Sequence, residues 1–219
     1  MKIDIKKYKH FSFDLWLTLI KSNPLFKKKR DILFREFFAI ESNQESVSST
    51  IRKYDVLCNK MSEKTGNHLD FHNIYYLILA DLKINIDEIS IERLDEFYNL
   101  SEQLFLENMP ELVYPKISSL LLQIQSEEKT INILSNTAFI QGKSLRKIIT
   151  FYELSDYFSF QLYSDETKIS KPNKQFFECV IENANLFQTI TKNDIVHIGD
   201  NKNADFDGAK NYGFNAILI

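Results

Sequence analysis

The pattern of apolar and polar positions divides the chain into two kinds of region. Residues 11–20 read FSFDLWLTLI and are mostly apolar, which predicts a buried strand over residues 9–15. Residues 24–110 have no strand-like alternation and instead carry apolar side chains at helical spacing. This second region therefore predicts a small bundle of helices, in which the polar stretch 42–50 forms a loop or a frayed helix end.

After Pro110, predicted strands alternate with predicted helices. The strands cover residues 130–134, 157–163, 194–198 and 216–219, and the helices cover residues 117–124, 141–152, 174–184 and 205–212. This alternation is typical of parallel strands in a sheet that helices cover on both faces. We therefore predict a doubly wound α/β core made of residues 1–21 and 111–219, with an inserted helical domain at residues 22–110.

Polar and charged residues stand where the predicted strands end. They are Asp14, Ser135, Asn136, Lys171, Asp200 and Asp205. In a doubly wound sheet the ligand binds at the carboxyl ends of the strands, so these side chains are expected to converge at one edge. Carboxylates suit a divalent metal ion, while a lysine and a hydroxyl suit a phosphate-like anion. Each residue alone could be a helix cap or turn residue, but their convergence favours chemistry.

Composition and charge restrict the class of protein. The chain has 219 residues and a net charge of −3, which indicates neither nucleic acid nor an anionic membrane as a partner. It has no segment typical of a signal peptide and no stretch near the roughly 20 apolar residues of a membrane span. Its two cysteines favour free thiols, so we expect a cytoplasmic protein. The basic run at residues 27–30 is expected to be a solvated helix face.

Four segments resemble the motifs of one enzyme superfamily. FDLWLTL is similar to the first motif of the haloacid dehalogenase superfamily of hydrolases, and ILSNT is similar to its second. SKPNKQFF resembles its lysine motif, and HIGDNKNADFDGA resembles its acidic fourth motif. The segments occur in the family's order over residues 11–209, and the helical insert stands where the family has a cap domain. The resemblance implies a hydrolase with a Rossmann-like core and a helical cap.

The resemblance also implies a role for each matching residue. Asp14 would attack the substrate and form a covalent aspartyl intermediate that water then hydrolyses. Lys171 would be the second catalytic residue and would offset the repulsion between Asp14 and Asp200. The implied substrate-binding residues are Ser135, Asn136, Trp16 and Thr18, the last supporting the loop after the nucleophile. The implied cofactor is Mg²⁺, held by Asp14, Asp200, Asp205 and the backbone carbonyl of Trp16.

The residue two positions after Asp14 departs from the family pattern. Phosphatases of the family have an aspartate there, which protonates the leaving alcohol and later activates water, whereas this chain has Trp16. An indole can do neither, and losing a general acid/base commonly lowers a rate by about 10²–10⁴-fold. The next position, often glycine in the family, is Leu17. Leaving groups that depart without a proton, such as a halide or the carboxylate of an acyl phosphate, do not need that acid.

Three functions are consistent with this sequence. The one we favour is a Mg²⁺-dependent phosphatase-type hydrolase acting on a small phosphorylated metabolite, because Asp200 and Asp205 are both present. The second is a 2-haloacid dehalogenase, since those members carry an aromatic residue at the position of Trp16, although they lack the acid that matches Asp200. That reaction needs a cation for the substrate carboxylate, and the candidates are Arg30, Arg35 and Arg52. The third is a catalytically impaired member that binds a ligand or a protein partner.

One further pair of residues has metal-binding spacing. His68 and His72 lie four positions apart and would share a face if both were on one helix. Two histidines without a third ligand are more often surface or packing residues. We therefore expect no metal site at this pair.

Overall fold

A computed structural model describes residues 3–219, and its centre is a parallel sheet of five strands. The strands are β1 (His10–Phe13), β4 (Thr130–Ser135), β5 (Phe160–Tyr163), β6 (Ile195–Gly199) and β7 (Asn215–Leu218). They lie in the order β5-β4-β1-β6-β7, so β1 is central and pairs with β4 on one side and β6 on the other. Phe13 at the end of β1 is in register with Ile133 and Ile198.

Helices cover both faces of this sheet. The helices of the C-terminal half are α5 (Ile117–Ser126), α6 (Gly142–Phe151), α7 (Ser164–Thr167), α8 (Lys174–Ala184) and α9 (Gly208–Tyr212). Apolar residues of α5 and α6 share one buried cluster with Phe11 and Phe13 of β1, whereas those of α8 and α9 share another with Leu134 and Ile195. Strands of a parallel sheet are apolar at nearly every position because both faces of the sheet are buried. The predicted doubly wound α/β fold is confirmed.

The segment between β1 and β4 contains four long helices. They are α1 (Pro24–Phe37), α2 (Gln44–Thr65), α3 (Phe71–Asp81) and α4 (Ile91–Glu107), which we call the helical region. Their inward faces form a third buried cluster, rich in aromatic rings. Two short antiparallel strands, β2 (Ile20–Lys21) and β3 (Glu111–Leu112), pair where the chain leaves the sheet and where it returns. The boundaries at residues 22 and 110 stay a prediction.

Three local expectations differ from the structure. The stretch 44–50, expected as a loop or frayed end, is regular helix in α2, because Asn43 accepts from the Ser46 N–H and Val47 is buried on the inward face. The strand expected from residue 157 begins at Phe160, since residues 155–157 form a 3₁₀ turn. The helix expected from residue 205 begins earlier, with a π-helical turn over Lys202–Asp207.

Length and apolar character together decide whether a helix can cross a bilayer. Within residues 3–219, no helix combines the length and the apolar character needed to span a membrane.

Candidate active site

The ends of three neighbouring strands bring the polar residues of the site together. Asp14 directly follows β1, and its backbone N–H donates to the carbonyl of Ile198 in β6 at 2.9 Å. Ser135 is the last residue of β4, and Gly199 is the last of β6, directly before Asp200. Because the strands are parallel, their carboxyl ends lie at one edge of the sheet, where the sequence predicted convergence.

Lys171 lies at the centre of this edge and is 1% exposed. Its Nζ donates to Asp14 Oδ1 at 2.7 Å and to the Leu134 carbonyl at 2.6 Å, and it lies 2.6 Å from Asp205 Oδ1. An ammonium group has three N–H bonds, so all three find an acceptor. Burial alone would lower the pKa of Lys171, but the two carboxylates outweigh it and raise that pKa above its ordinary value.

Asp205 is fixed from several directions. Besides Lys171, its Oδ1 accepts from His197 Nε2 at 3.1 Å, and its Oδ2 accepts from the Asn201 backbone N–H at 3.0 Å. Burial would raise the pKa of Asp205, but Lys171 and His197 overcome it and hold that pKa below its usual range. The Ser12 hydroxyl lies 3.0 Å from His197 Nδ1, which accepts from it when Nε2 carries the proton.

The other two carboxyl groups of the cluster, Asp14 and Asp200, both have raised pKa values. Burial raises the pKa of Asp14 to about 7, with Lys171 opposing the shift and Asp205 adding to it. Burial also raises the pKa of Asp200, and the neighbouring charge of Asp205 reinforces that change. Both shifts are those expected where carboxylates gather away from water with too little positive charge.

The three carboxylates are close enough to share one ion. Oxygens of Asp14, Asp200 and Asp205 all lie within 4.8 Å of one another. Gly199 is needed for this approach, because a Cβ there would lie 2.3 Å from the Asp205 carboxylate. An all-oxygen donor set is what Mg²⁺ prefers. A divalent cation would also balance the negative charge of these clustered carboxylates, so the residues present fit such an ion.

The other predicted site residues differ in whether they line the cavity that opens above the carboxylates. Asn136 lines it, and its side chain forms two hydrogen bonds with the Lys171 backbone, at 2.7 Å to N and 3.0 Å to O. Ser135 is fully buried and donates to the Asn136 carbonyl at 3.2 Å. Thr18 is fully buried too, and within residues 3–219 its hydroxyl has no hydrogen-bond partner. Neither Ser135 nor Thr18 is among the lining residues.

A cavity of about 330 Å³ opens above the carboxylates, between the sheet edge and the helical region. Its apolar wall includes Trp16, Leu17, Phe26 and Phe139. The Trp16 ring is half-buried, with its centroid 6.4 Å from that of Phe105 in α4. Leu17 has a left-handed backbone with φ of 61°, and its side chain is 60% exposed. The position where the family often has glycine therefore keeps a backbone conformation that favours glycine.

The helical region also supplies charged residues to the cavity. Of the three arginines considered for a substrate carboxylate, only Arg30 is among the lining residues. The expectation that residues 27–30 form a solvated face is wrong for Arg30, which is buried, whereas the three lysines before it are exposed and Lys27 also lines the cavity. The Arg30 guanidinium donates to Asp31 at 2.8 and 3.0 Å and stands 5.0 Å from the Phe139 ring centroid.

His68 and His72 do not share a helix face. Helix α3 begins at Phe71, so His68 lies in the preceding loop, where its Nδ1 is 3.1 Å from the Ser164 hydroxyl. His72 lies between Asp70 and Asp95, at 2.7 and 2.8 Å. The two histidines therefore have separate partners, as packing and surface residues do.

Sequence reasoning missed several residues that shape the site. His197 and Ser12 support Asp205 from inside the sheet, and Glu63 of α2 lines the cavity beside Asn201. The strand residues left a signal, because Ser12 stands two positions before Asp14 and His197 two before Gly199, on the alternation of a strand. Glu63 left none, since only the folded helix brings it to the sheet edge.

Comparison with known proteins identifies the family. A family model described as haloacid dehalogenase-like hydrolase matches residues 8–213. The chain belongs to the haloacid dehalogenase-like hydrolases. The resemblance in the four sequence motifs is thereby confirmed at the level of the family. No curated protein matches this haloacid dehalogenase-like hydrolase at a significant level.

Solved structures of the same fold include both phosphatases and dehalogenases. The HAD-hydrolase YfnB from Bacillus subtilis, bound to magnesium, has 16% identity and a TM-score of 0.67, covering 97% of this chain and 89% of that one. A HAD phosphatase from Thermococcus onnurineus has 17% identity and a TM-score of 0.67, covering 96% and 86%. L-2-haloacid dehalogenase from Xanthobacter autotrophicus has 18% identity and a TM-score of 0.62, covering 97% and 77%. At these identities the likeness shows the fold alone.

Proposed function

We propose that this protein is a Mg²⁺-dependent hydrolase of the phosphatase type, acting on a small phosphorylated substrate. The observation that supports this most is the group of three carboxylates, within 4.8 Å of one another, beside the buried Lys171. Asp14, Asp200, Asp205 and the Trp16 carbonyl would hold the ion. When bound, Mg²⁺ supplies positive charge to the transferring phosphoryl group.

Side chains of the protein carry out the other parts of the reaction. An oxygen of the Asp14 carboxylate attacks phosphorus, the bond from phosphorus to the leaving oxygen breaks, and an aspartyl phosphate forms. Water then releases phosphate and regenerates the Asp14 carboxylate. Lys171 orients Asp14 through their 2.7 Å hydrogen bond, and its buried positive charge offsets the negative charge that gathers at the reacting carboxylate. Asn136, directly after β4, supports that lysine because its side chain pairs with the Lys171 backbone, and Ser135 in turn donates to the Asn136 carbonyl.

Trp16 restricts which phosphorylated compounds react well. Its indole N–H is a donor that does not release a proton at neutral pH, so an alcohol would have to leave as an alkoxide. Acyl phosphates and aryl esters have leaving groups that are stable as anions. We therefore propose activated phosphate compounds of this kind as the better substrates.

A second candidate is C–halogen hydrolysis of a 2-haloacid. It is favoured by Arg30, which lines the cavity and would pair with a substrate carboxylate, and by Trp16, because a halide leaves without a proton. In that reaction the Asp14 carboxylate attacks carbon, the carbon–halogen bond breaks, and the halide departs with the electron pair. The presence of Asp200 beside Asp205 is why we rank this candidate second.

The experiment that separates these candidates is a panel assay of the purified protein. Acyl phosphates, aryl phosphates, alkyl phosphates and 2-haloacids are each tested with Mg²⁺ and with a chelator, and Asp14→Asn is the control for contaminating activity. Release of phosphate from activated compounds that requires Mg²⁺ supports the proposal. Halide release that survives the chelator supports the second candidate. No turnover on any class, with ligand binding retained, would indicate a catalytically impaired member.

A further inference from the structure

The end of α2 lies against the loop that carries Lys171. The Gly66 carbonyl accepts from the Ser170 backbone N–H at 3.0 Å and from Asn173 Nδ2 at 3.1 Å. Gly66 has a φ of +71°, and a Cβ there would lie 2.9 Å from the Asn173 Cβ. The close approach therefore depends on glycine, and it fixes where the last turn of α2 stands relative to the sheet edge.

One turn earlier in α2, Glu63 reaches the loop that follows β6. Its Oε1 accepts from Asn201 Nδ2 at 2.7 Å, and its Oε2 accepts from Asn203 Nδ2 at 3.3 Å. The side chain is half-buried and lines the cavity. A carboxylate with an amide donor on each oxygen has a defined orientation, and hydrogen bonds to an ionised acceptor are stronger than neutral ones.

Asn201 connects Glu63 to the candidate metal ligands. It directly follows Asp200, and its backbone N–H donates to Asp205 Oδ2 at 3.0 Å. Its side-chain Oδ1 accepts from the backbone N–H groups of Asn203 and Ala204, at 2.9 and 3.0 Å. Both ends of the Asn201 amide are therefore used, one to begin the following helical turn and the other to bind Glu63. Anchoring the amide fixes the backbone directly after Asp200.

We propose that Glu63 is a positioning residue for the divalent-cation site. It orients Asn201, and Asn201 holds Asp200 and Asp205 in the arrangement that binds the ion. Packing of the last turns of α2 against the sheet edge therefore also completes the ion site. This inference rests on the proposed function, because it assigns Glu63 to the same Mg²⁺ site. Partners that orient metal ligands commonly contribute 10–100-fold to affinity, so we expect an effect of roughly tenfold.

The test separates positioning from simple charge attraction. Mg²⁺ binding to the purified chain is measured by calorimetry for Glu63→Ala, Glu63→Gln, Asn201→Ser and the double variant Glu63→Ala with Asn201→Ser. Glutamine keeps an oxygen that can accept from Asn201, and serine keeps a helix-capping oxygen but loses the amide donor. Glu45→Ala, an exposed carboxylate at the other end of α2, is the matched control.

Positioning predicts that Glu63→Ala and Asn201→Ser each weaken Mg²⁺ binding roughly tenfold, with the double variant no weaker than the singles. Glu63→Gln should stay within about twofold of the unsubstituted protein, since it keeps the shorter bond. If Glu63→Gln and Glu63→Ala weaken binding equally while Asn201→Ser binds normally, charge alone acts and the proposal is overturned. If the unsubstituted protein binds no Mg²⁺, the proposed function fails and this inference fails with it.

A second readout needs no metal. Hydrogen exchange of the metal-free protein should be faster at the amides of residues 201–206 in Glu63→Ala, because their turn loses its anchor. Exchange in α3 should be unchanged, and Glu45→Ala should leave residues 201–206 unchanged. Equal protection of residues 201–206 in Glu63→Ala and the unsubstituted protein would contradict the positioning role even if Mg²⁺ binding were weaker.

Discussion

The interiors of the helical region and of the sheet contain different kinds of side chain. In the helical region aromatic rings pack on one another, and Phe97 alone has four ring neighbours within 5.5 Å. In the sheet, the central strands bury His10, Ser12 and His197, and Lys171 and Asp205 stand at their ends. A ring cluster stabilises by burial and packing, whereas buried ionisable groups need partners to avoid a large cost.

This difference indicates a division of labour. The helical region should contribute mainly to stability and to the shape of the cavity, while the strand ends should contribute the chemistry. The division is incomplete, because Arg30 and Glu63 bring charge from the helical region to the cavity. Substitutions in each region can test how far stability and activity separate.

The largest effect is expected from Asp14→Asn. Removing the nucleophile should lower turnover of any hydrolysed substrate by at least roughly 10⁴-fold. Stability should be retained, because the buried carboxylate already has its pKa raised to about 7. Turnover and denaturant unfolding are measured on the same preparation. Asp156→Asn in an exposed turn is the control. Turnover at the unsubstituted level would exclude a covalent route through Asp14.

The converse substitution is Phe97→Ala in the helical region. Phe97 is fully buried, so its loss should lower the free energy of unfolding by about 3–5 kcal/mol. Turnover per folded molecule should change much less, since Phe97 is not a cavity-lining residue. Urea unfolding and activity of the folded fraction are the two measurements. Leu100→Ala, on the exposed side of α4, should have a smaller effect on stability. Lost turnover with normal stability would contradict the division of labour.

A third prediction concerns pH and His10 of the sheet. Burial lowers the pKa of His10 to about 4, although its hydrogen bond with Asn132 opposes the shift. The folded state therefore prefers neutral His10, and its full stability is present above the unfolded pKa of about 6.5. As pH falls from 6.5 toward 4, the unfolded chain gains a proton that the folded chain does not. The free energy of unfolding should fall by about 2 kcal/mol between pH 7 and pH 5 from this group.

The contribution of His10 is isolated by comparison with His10→Gln. The variant should be less stable at neutral pH, because it loses the stacking of His10 on Phe160 at 5.5 Å. Its stability should nevertheless depend less on pH between 7 and 5 than that of the unsubstituted protein. Unfolding curves at both pH values give the difference directly. Equal pH dependence in the two proteins would show that His10 is not the responsible group.

The smallest expected effect is a gain from Trp16→Asp. A carboxyl group at this position would supply the proton that an alcohol needs, so turnover of alkyl phosphates should rise by about tenfold. Acyl phosphates should gain less, since their leaving group needs no proton and only the attack of water on the aspartyl phosphate would benefit. Trp16→Asn, which cannot donate a carboxyl proton, is the matched control. An equal gain in both variants would mean that removing the indole, rather than adding an acid, opens the site.

Much of the sheet and its edge was predictable because both follow local rules. Apolar runs such as Thr130–Ser135 are short and bounded by turns, and parallel order forces their ends together. The same rule places Asp14, Lys171 and Asp205 together at one edge of the sheet. The extent of α2 was harder to predict, since its first turns are polar and only Val47 and Ile51 face inward. Cavity residues such as Glu63 depend on how the helical region docks, and no local pattern encodes that.

The short ribbon formed by β2 and β3 has one more consequence. Ile20 and Leu112 are directly paired, so the polypeptide re-enters the α/β layer beside the point where it departed. The order of the five strands in the parallel sheet therefore does not depend on the segment between β2 and β3. Exchanging that intervening segment for another of different length would leave the reaction centre's backbone connectivity unaltered. The helical region, which brings Arg30 and Glu63 to the cavity, can therefore change without altering how the strands of the α/β layer are connected.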